Sequence, residues 1–333
     1  MGVIWNKIWY DFWHNKSRTL QVVAIVAVGA FAIGMIINTR YAVISGMETL
    51  WQRSAPMTIG LAVEPPVDDD QILALKRVKG VADVEGYMRT TVEWRRSPDE
   101  PWQTATLGAR ADYQRQIYGT LDLTAGTWPA GKTATVCQGV DLAYNIRPGD
   151  RVIVRYRDRE HELEISGTVY DNYAQPPSFG GSLQLYVDRD RYEHITGSRD
   201  FNVIMAGLVE YDEEQARSAA NEMQRRLEAA GSNVEGATPP EGNRYTDPRK
   251  HFFQDFMDAI FLVMGILGGL ALILGLFLVY NTINAIVSQQ VNQIGIMKAI
   301  GARTRDIVRI YMTSVLLYGI LAMIVAVPLG AVA

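Results

Sequence analysis

Two long runs without charge constrain this sequence more than any other feature. No charged residue occurs from residue 259 to residue 297, and residues 259–280 are apolar enough and long enough to cross a bilayer as a helix. A second uncharged run, residues 310–333, follows a short basic segment. These runs predict a membrane protein with α-helical transmembrane spans.

The segment between the two runs has helical periodicity and a strong excess of positive charge. Its apolar residues recur at steps of three and four, which predicts one helical seam: Ile283, Val287, Val291, Ile294 and Met297. Gly295 and Gly301 are predicted to loosen this helix. Four cations face a single acid, Asp306: Lys298, Arg303, Arg305 and Arg309. Because short basic loops between spans remain on the cytoplasmic side, we expect this turn to be cytoplasmic.

The order of the residues in this segment resembles that of a known family. The run QIGIMKAIGARTRDIVRIY is similar to the cytoplasmic turn of the FtsX-like permeases of ABC transporters, which reads roughly EIGIxKAxGAxxxDI. Gln293 occupies the position at which the family usually has glutamate, so a polar contact is retained there but an ion pair is not. The resemblance implies that the turn docks on a separate ATPase subunit, through Gln293, Ile294, Gly295, Ile296, Met297, Lys298, Ala299, Ile300, Gly301, Ala302, Arg303 and Arg305.

Composition excludes several other classes of protein. A chain of 333 residues allows about two domains. The formal net charge of −4 argues neither for nucleic-acid binding nor for an acidic tail. The single cysteine, Cys137, permits no disulfide within the chain, and no cluster of cysteine and histidine suggests a metal site. We therefore expect no metal or cofactor in this chain, and the resemblance assigns ATP and magnesium to the partner ATPase.

The amino terminus is predicted to lie on the cytoplasmic side. Residues 1–18 mix aromatic and basic side chains, which indicates an amphipathic segment against anionic lipid, although a solvated tail has the same composition. Residues 19–39 form a first transmembrane helix, which we interpret as an uncleaved anchor. The first span then leads outward, the second (254–282) returns, and the basic turn (283–309) and third span (310–333) follow.

Residues 40–253 are expected to form a large α+β extracytoplasmic domain inserted between spans 1 and 2, with stalk helices at its ends. Alternating and β-branched segments separated by turns predict its strands. The predicted strands are residues 57–64, 81–95, 102–109, 133–138, 151–156, 161–170, 183–187 and 201–210, and the clearest helices are 68–78 and 212–230. The run LDLTAGTWPAGKTATVCQGVDLAYNIRPGDRVIV, followed by LEISGTVYD, resembles the periplasmic core domain of MacB-like permeases.

Three features of this domain have more than one interpretation. The acids Asp68, Asp69 and Asp70 cap a helix or hold a divalent cation. Residues 126–133 satisfy the phosphate-loop pattern GxxxxGK[ST], but a strand-like run follows where that loop requires a helix, so a turn before a strand fits better. Residues 170–181 form a long loop that contacts a substrate or partner, or only connects two elements.

The second span contains a helix-packing motif. Gly265 and Gly269 form GxxxG, a spacing that lets helix backbones approach closely. The partner is either the first span of the same chain or a second permease, and the resemblance favours a permease dimer, as a homodimer or a heterodimer. Three spans would leave the carboxyl terminus outside, so we expect the sequence to be a piece of a longer permease.

These observations favour a non-catalytic permease subunit that transmits force. A cytoplasmic ATPase would move the turn, and the spans would carry that motion to the outer domain for export or extraction of a substrate, with or without a periplasmic or extracellular adaptor. The expected location is the cell (inner) membrane, in contact with lipid and without nucleic acid. The alternative is an FtsX-like regulator that activates an extracellular hydrolase or senses a ligand. A phosphate-loop enzyme is the third hypothesis.

Overall fold

The computed structural model describes residues 13, 16–139, 143–175, 180–236 and 244–332. The chain forms two compact units, one of Met1–Gly46 with Phe253–Ala333 and one of Met47–Phe252. Most of the predicted amphipathic segment (1–18), residues 176–179 of the predicted loop and residues 237–243 of the predicted exit from the domain lie outside the described residues.

The described helices alternate with a long series of strands. The helices are α1 (Lys16–Arg53), α2 (Asp69–Leu75), α3 (Arg189–Thr196), α4 (Glu213–Ala229), α5 (Gln254–Gln289), α6 (Val291–Ala299) and α7 (Thr304–Val332). The strands are β1 (Ile59–Val67), β2 (Val81–Arg95), β3 (Gln103–Arg110), β4 (Asp122–Gly126), β5 (Thr133–Cys137), β6 (Arg151–Tyr156), β7 (Arg159–Tyr170), β8 (Leu183–Val187), β9 (Phe201–Leu208) and β10 (Asn233–Gly236).

Three helices, α1, α5 and α7, are long and apolar enough to cross a membrane. The strands and α2–α4 lie in sequence between α1 and α5, so the predicted fold class is confirmed: apolar helices with an α+β domain inserted between the first two. Each helix continues past its predicted span, because the polar residues at its ends keep the helical periodicity.

Small residues mediate the packing of the apolar helices. A Cβ atom added at Gly268 of α5 would lie 3.0 Å from Cδ1 of Ile36 in α1. On another side of α1, Ala27 is buried with Ala322 and Ala326 of α7. The predicted GxxxG motif does not contribute to this packing, since a Cβ at Gly265 or Gly269 would meet no described group outside its own helix within 4 Å. Gly268 makes the contact with the first span instead.

The second unit is built on one ten-stranded sheet with the order β10-β1-β9-β2-β3-β8-β5-β7-β4, and β6 pairs with β2 and β7. Most pairs are antiparallel, but β3 with β8 and β5 with β7 are parallel. The large fully buried side chains include Trp94, Tyr186, Met88 and Leu107, and one apolar cluster extends from β1 through α4. The unit therefore has a hydrophobic core of its own.

Helix caps account for the local structure of α2 and α4. Asp68 and Gln71 form a capping box: the Asp68 carboxylate accepts from Gln71 N at 2.8 Å and the Gln71 side chain accepts from Asp68 N at 3.0 Å. This confirms the capping interpretation of the acidic run. Asp212 caps α4 by accepting from Gln215 N at 2.9 Å.

Three elements were not predicted. Strand β4 is short and largely exposed, β10 has four residues at the sheet edge, and α3 carries mainly polar side chains. Strand β1 also continues through Pro65 and Pro66 to Val67, where its pairing with β9 shifts register. Prolines are tolerated there because an irregular position requires fewer ladder hydrogen bonds.

The pKa of His251 makes the stability of this unit sensitive to pH. Its ring lies 4.7 Å from the Trp51 ring and 4.4 Å from the Phe252 ring, and burial lowers its pKa to about 4. Between this folded pKa of about 4 and the ordinary value of 6.5, His251 is protonated in the unfolded chain but neutral in the folded chain. The resulting stability is complete above pH 6.5 and is lost as pH falls toward 4.

We expect the free energy of unfolding to fall between pH 7.5 and pH 5 by about 1–2 kcal/mol through this residue, after allowance for its partial exposure. The measurement is urea unfolding of the full chain in detergent at both pH values, followed by tryptophan fluorescence. His251→Phe retains an aromatic ring but cannot bind a proton, so its pH dependence should be smaller by that amount. Equal pH dependence in both proteins would contradict this role.

Candidate functional site

The candidate coupling segment is a helix with a defined end, not an open turn. Helix α5 continues to Gln289, and α6 begins at Val291. At the end of α6, Gly301 adopts φ +98°, Gly301 N donates to Lys298 O at 3.1 Å, and Ala302 N donates to Met297 O at 2.9 Å. This pair of bonds is the Schellman arrangement, in which a left-handed glycine closes a helix.

The two glycines of this segment occupy different positions in the structure. Gly295 lies inside α6 and does not interrupt it. A glycine within a helix costs only about 1 kcal/mol relative to alanine, which the hydrogen bonds of its neighbours outweigh. Gly301 does end the helix, because its left-handed conformation excludes most other residues.

The isoleucines of α6 divide between two environments. Ile294 and Met297 are half-buried, as the predicted seam requires, whereas Ile296 and Ile300 are 64% and 79% exposed. Val291, the remaining seam position in α6, is also exposed at 57%. Large apolar side chains with this exposure, next to polar neighbours, are typical of a surface that another protein or a membrane covers.

The segment also carries cations without acidic partners. Lys298, Arg303, Arg305 and Arg309 are exposed, and within the described part of the chain none of them forms a salt bridge. An added Cβ at Gly295 would meet no described group outside its helix within 4 Å, so the backbone is accessible there as well. The surface thus combines apolar anchors, free positive charge and an approachable backbone.

A hydrogen bond ties the beginning of this surface to the next helix. The Tyr311 hydroxyl of α7 donates to the Gln290 side-chain oxygen at 2.7 Å, at the junction between α5 and α6. Ile307, one turn before Tyr311, is buried. The junction between α5 and α6 is therefore linked to α7 by a side-chain hydrogen bond as well as through the chain.

The residues of the phosphate-loop pattern do not form such a loop. Gly126 ends β4, and Thr133 begins β5, so a strand follows the loop. The Asp188 carboxylate accepts a hydrogen bond from Gly131 N, which places an anion where a phosphate would bind. No group of three or more metal-ligating side chains occurs among the described residues either.

Comparison with known proteins shows that part of the chain is similar to a known family. Residues 265–333 match the family model described as FtsX-like permease C-terminal. This stretch contains all of α6, so the resemblance inferred from the sequence is confirmed there. No curated protein matches the chain significantly.

Solved structures resemble about half of this chain. One is the extracellular domain of the noncanonical ABC-type transporter YknZ from Gram-positive bacteria, which is 17% identical, with a TM-score of 0.38, over 53% of this chain and 98% of that one. Another is the periplasmic region of MacB from Actinobacillus actinomycetemcomitans, 13% identical, with a TM-score of 0.37, over 54% of this chain and 89% of that one.

Proposed function

Because residues 265–333 match the family model described as FtsX-like permease C-terminal, we propose that this chain is the non-catalytic permease subunit of an ABC transporter. Its α6 docks on a separate cytoplasmic ATPase, which binds ATP and magnesium. ATP-driven closure of the ATPase moves α6, and α5 and α7 carry the motion to the outer domain for export or extraction of a substrate. The observation that carries the proposal is the exposed pair Ile296 and Ile300 on a capped helix between two apolar helices.

Apolar burial provides the affinity in this proposal. Ile296 and Ile300 are four residues apart and lie on neighbouring turns, so both enter one groove on the ATPase. Burying an isoleucine side chain contributes about 1.5–3 kcal/mol, so two of them supply a substantial part of a stable interface. Ile294 faces the permease and supports the helix instead of contacting the partner.

The cations orient the encounter. Lys298, Arg303 and Arg305 flank the isoleucines and have no acidic partner among the described side chains, so an acidic rim on the ATPase would pair with them. Exposed charges of this kind act mainly on the association rate and its salt dependence. Gln293, at the position of the family's glutamate, would add a polar contact without an ion pair.

The orientation in the membrane belongs to the same proposal. The basic α6 segment and the amino terminus lie in the cytoplasm, residues 19–39, 254–282 and 310–333 cross the membrane, and residues 40–253 lie outside. A Cβ atom added at Gly265 or Gly269 would meet no described group outside its own helix within 4 Å, so a second permease chain can pack against them closely. The functional unit is then two permeases with two ATPases.

Site-specific photocrosslinking tests the docking surface. With p-benzoylphenylalanine at Ile296 or Ile300, irradiation of cells should join the permease to the ATPase, and mass spectrometry of the adduct should identify that subunit. The matched controls are Ile324, which is 63% exposed on α7, and Val209, which is 79% exposed in the outer domain. Neither position should give such an adduct. The proposal would be refuted if the probe at position 300 gave no adduct with the ATPase. It would also be refuted if the probe at position 324 gave as much adduct as the probe at position 300.

A further inference from the structure

A cleft of about 670 Å³ opens on one face of the outer-domain sheet. Cross-strand registers place Val203, Tyr87 and Arg110 side by side on this face. Further along, Thr91 lies beside Thr106, and Thr106 beside Gln184. The volume lies within the range of about 300–1,000 Å³ that is usual for small-molecule sites.

One wall of the cleft is apolar and adaptable. Met57, Val203 and Met205 form a small buried cluster, separate from the main core, with the rings of Tyr87, Tyr118 and Tyr173 packed against it. Methionine side chains fit irregular shapes, and tyrosine rings provide flat apolar surfaces. This wall suits the apolar part of an organic molecule.

The same wall contains a buried donor without a partner. The Arg110 side chain is 4% exposed; its Nη1 donates to Glu85 Oε1 at 2.7 Å and to Tyr118 O at 3.0 Å, and its Nη2 donates to Gly119 O. Its Nε has no hydrogen-bond partner among the described residues. Because this atom has almost no accessible surface, a ligand in the cleft does not reach it, and Arg110 instead fixes the wall through Glu85, Tyr118 and Gly119.

The charges around the cleft cancel. Glu85 neutralises Arg110, and the other charged lining residues, Arg89 and Asp171, have opposite signs. Asp171 is also engaged, since it accepts hydrogen bonds from the Tyr186 hydroxyl at 2.6 Å and from Tyr173 N at 2.8 Å. The other end of the cleft offers uncharged hydroxyl and amide groups from Thr91, Thr106 and Gln184. This surface favours a neutral ligand over an ion.

From this geometry we propose that the cleft binds a neutral, amphipathic organic molecule of drug-like size. Its apolar part lies against Met57, Met205 and Tyr173, and its polar part pairs with the side chains of Thr91, Thr106 and Gln184. The wall is connected to the beginning of the domain, because Met57 N donates to the Tyr173 hydroxyl at 3.2 Å and the Tyr173 ring lies 4.7 Å from Trp51. Binding requires no ATPase, so it can be tested apart from the proposed transport.

Photolabelling of the full chain in lipid nanodiscs tests this site. The probe is 4-benzoylbenzamide, a neutral benzophenone with an amide oxygen, which inserts into nearby C–H bonds on irradiation. We expect saturable adducts on peptides containing Met57, Met205 or Tyr173, read by mass spectrometry. The anionic analogue 4-benzoylbenzoate should label these peptides about tenfold less at equal concentration, which corresponds to about 1.4 kcal/mol.

Two tryptophan variants provide the control. Thr91→Trp fills the cleft from an exposed position of β2, whereas Thr104→Trp adds the same bulk at an exposed position of β3 that does not line the cleft. Labelling should fall about tenfold or more in the first and persist in the second. If Thr91→Trp melts at a lower temperature than the parent protein, Thr106→Trp is used as the cleft-filling variant instead. The proposal would be overturned if labelling were absent or did not saturate. It would also be overturned if the anionic probe labelled the peptides equally, or if the cleft-filling variant left labelling unchanged.

Discussion

Replacement of Ile300 by aspartate is expected to remove the ATPase from the purified permease. Ile300 is 79% exposed and follows the last residue of α6, so the permease itself tolerates a charge there. In the proposed interface the same carboxylate would be buried without a partner. An uncompensated buried charge costs about 3–5 kcal/mol, which is about a hundredfold or more in affinity.

Co-purification from solubilised membranes measures this effect, with permease recovery and melting temperature as checks of integrity. Val209→Asp is the matched control, because Val209 is equally exposed at 79% but lies in the outer domain. That variant should retain the ATPase at the parental ratio. If Ile300→Asp also retains it, α6 is a connection between helices and not a docking surface.

Cysteine labelling in intact cells should separate the two sides of the membrane completely. With Cys137 replaced by alanine, single cysteines at Ser97 and Arg157 should react with a membrane-impermeant maleimide, because both lie in the proposed outer domain. A cysteine at Thr304 should not react, because in the proposed orientation the adjacent cations keep that end of α7 in the cytoplasm.

Thr304 is exposed, so its lack of reaction must come from the membrane and not from burial. After permeabilisation it should label as strongly as the other two positions. Reaction of Thr304 in sealed cells, together with protection of Ser97 and Arg157, would invert the proposed orientation and place α6 out of reach of any cytoplasmic ATPase.

Strands with a strong local pattern were predictable from the sequence. The bounds of β2, β6 and β8 agree with the prediction, because alternating or continuous apolar residues between clear turns leave little choice. Helix α3 was missed since only Tyr192 and Ile195 of its eight residues are buried. Its signal was present in the caps: Asp188 accepts from Arg191 N at 2.6 Å, and Gly197 adopts φ +79°.

The surface of α6 was only partly predictable. Ile294 and Met297, two members of the predicted seam, are half-buried, whereas the docking role implied for Ile294, Ile296 and Ile300 stays a prediction. Which side of a short helix remains exposed depends on how the flanking helices pack. That packing includes the bond between Tyr311 and Gln290, two residues far apart in the chain.

The cleft could not be predicted because it is formed by parts of the chain that are distant in sequence. Parallel pairing of β3 with β8 brings Thr106 beside Gln184, and the loop after β7 places Tyr173 against Met57. Neither contact has a local signal. The predicted loop of residues 170–181 did include Asp171 and Tyr173. Its length and composition fitted both a contact with a substrate or partner and a simple connection between two elements.

Transmission of motion from the ATPase to the outer domain is most directly tested by single-molecule energy transfer between dyes at Ser17 and Val209, both exposed. The reconstituted complex of permease and ATPase is compared without nucleotide and with ATP. We expect ATP to shift the distribution of transfer efficiency in the parent, and Ile300→Asp to abolish that shift. An unchanged distribution in a complex that hydrolyses ATP normally would contradict force transmission by this chain.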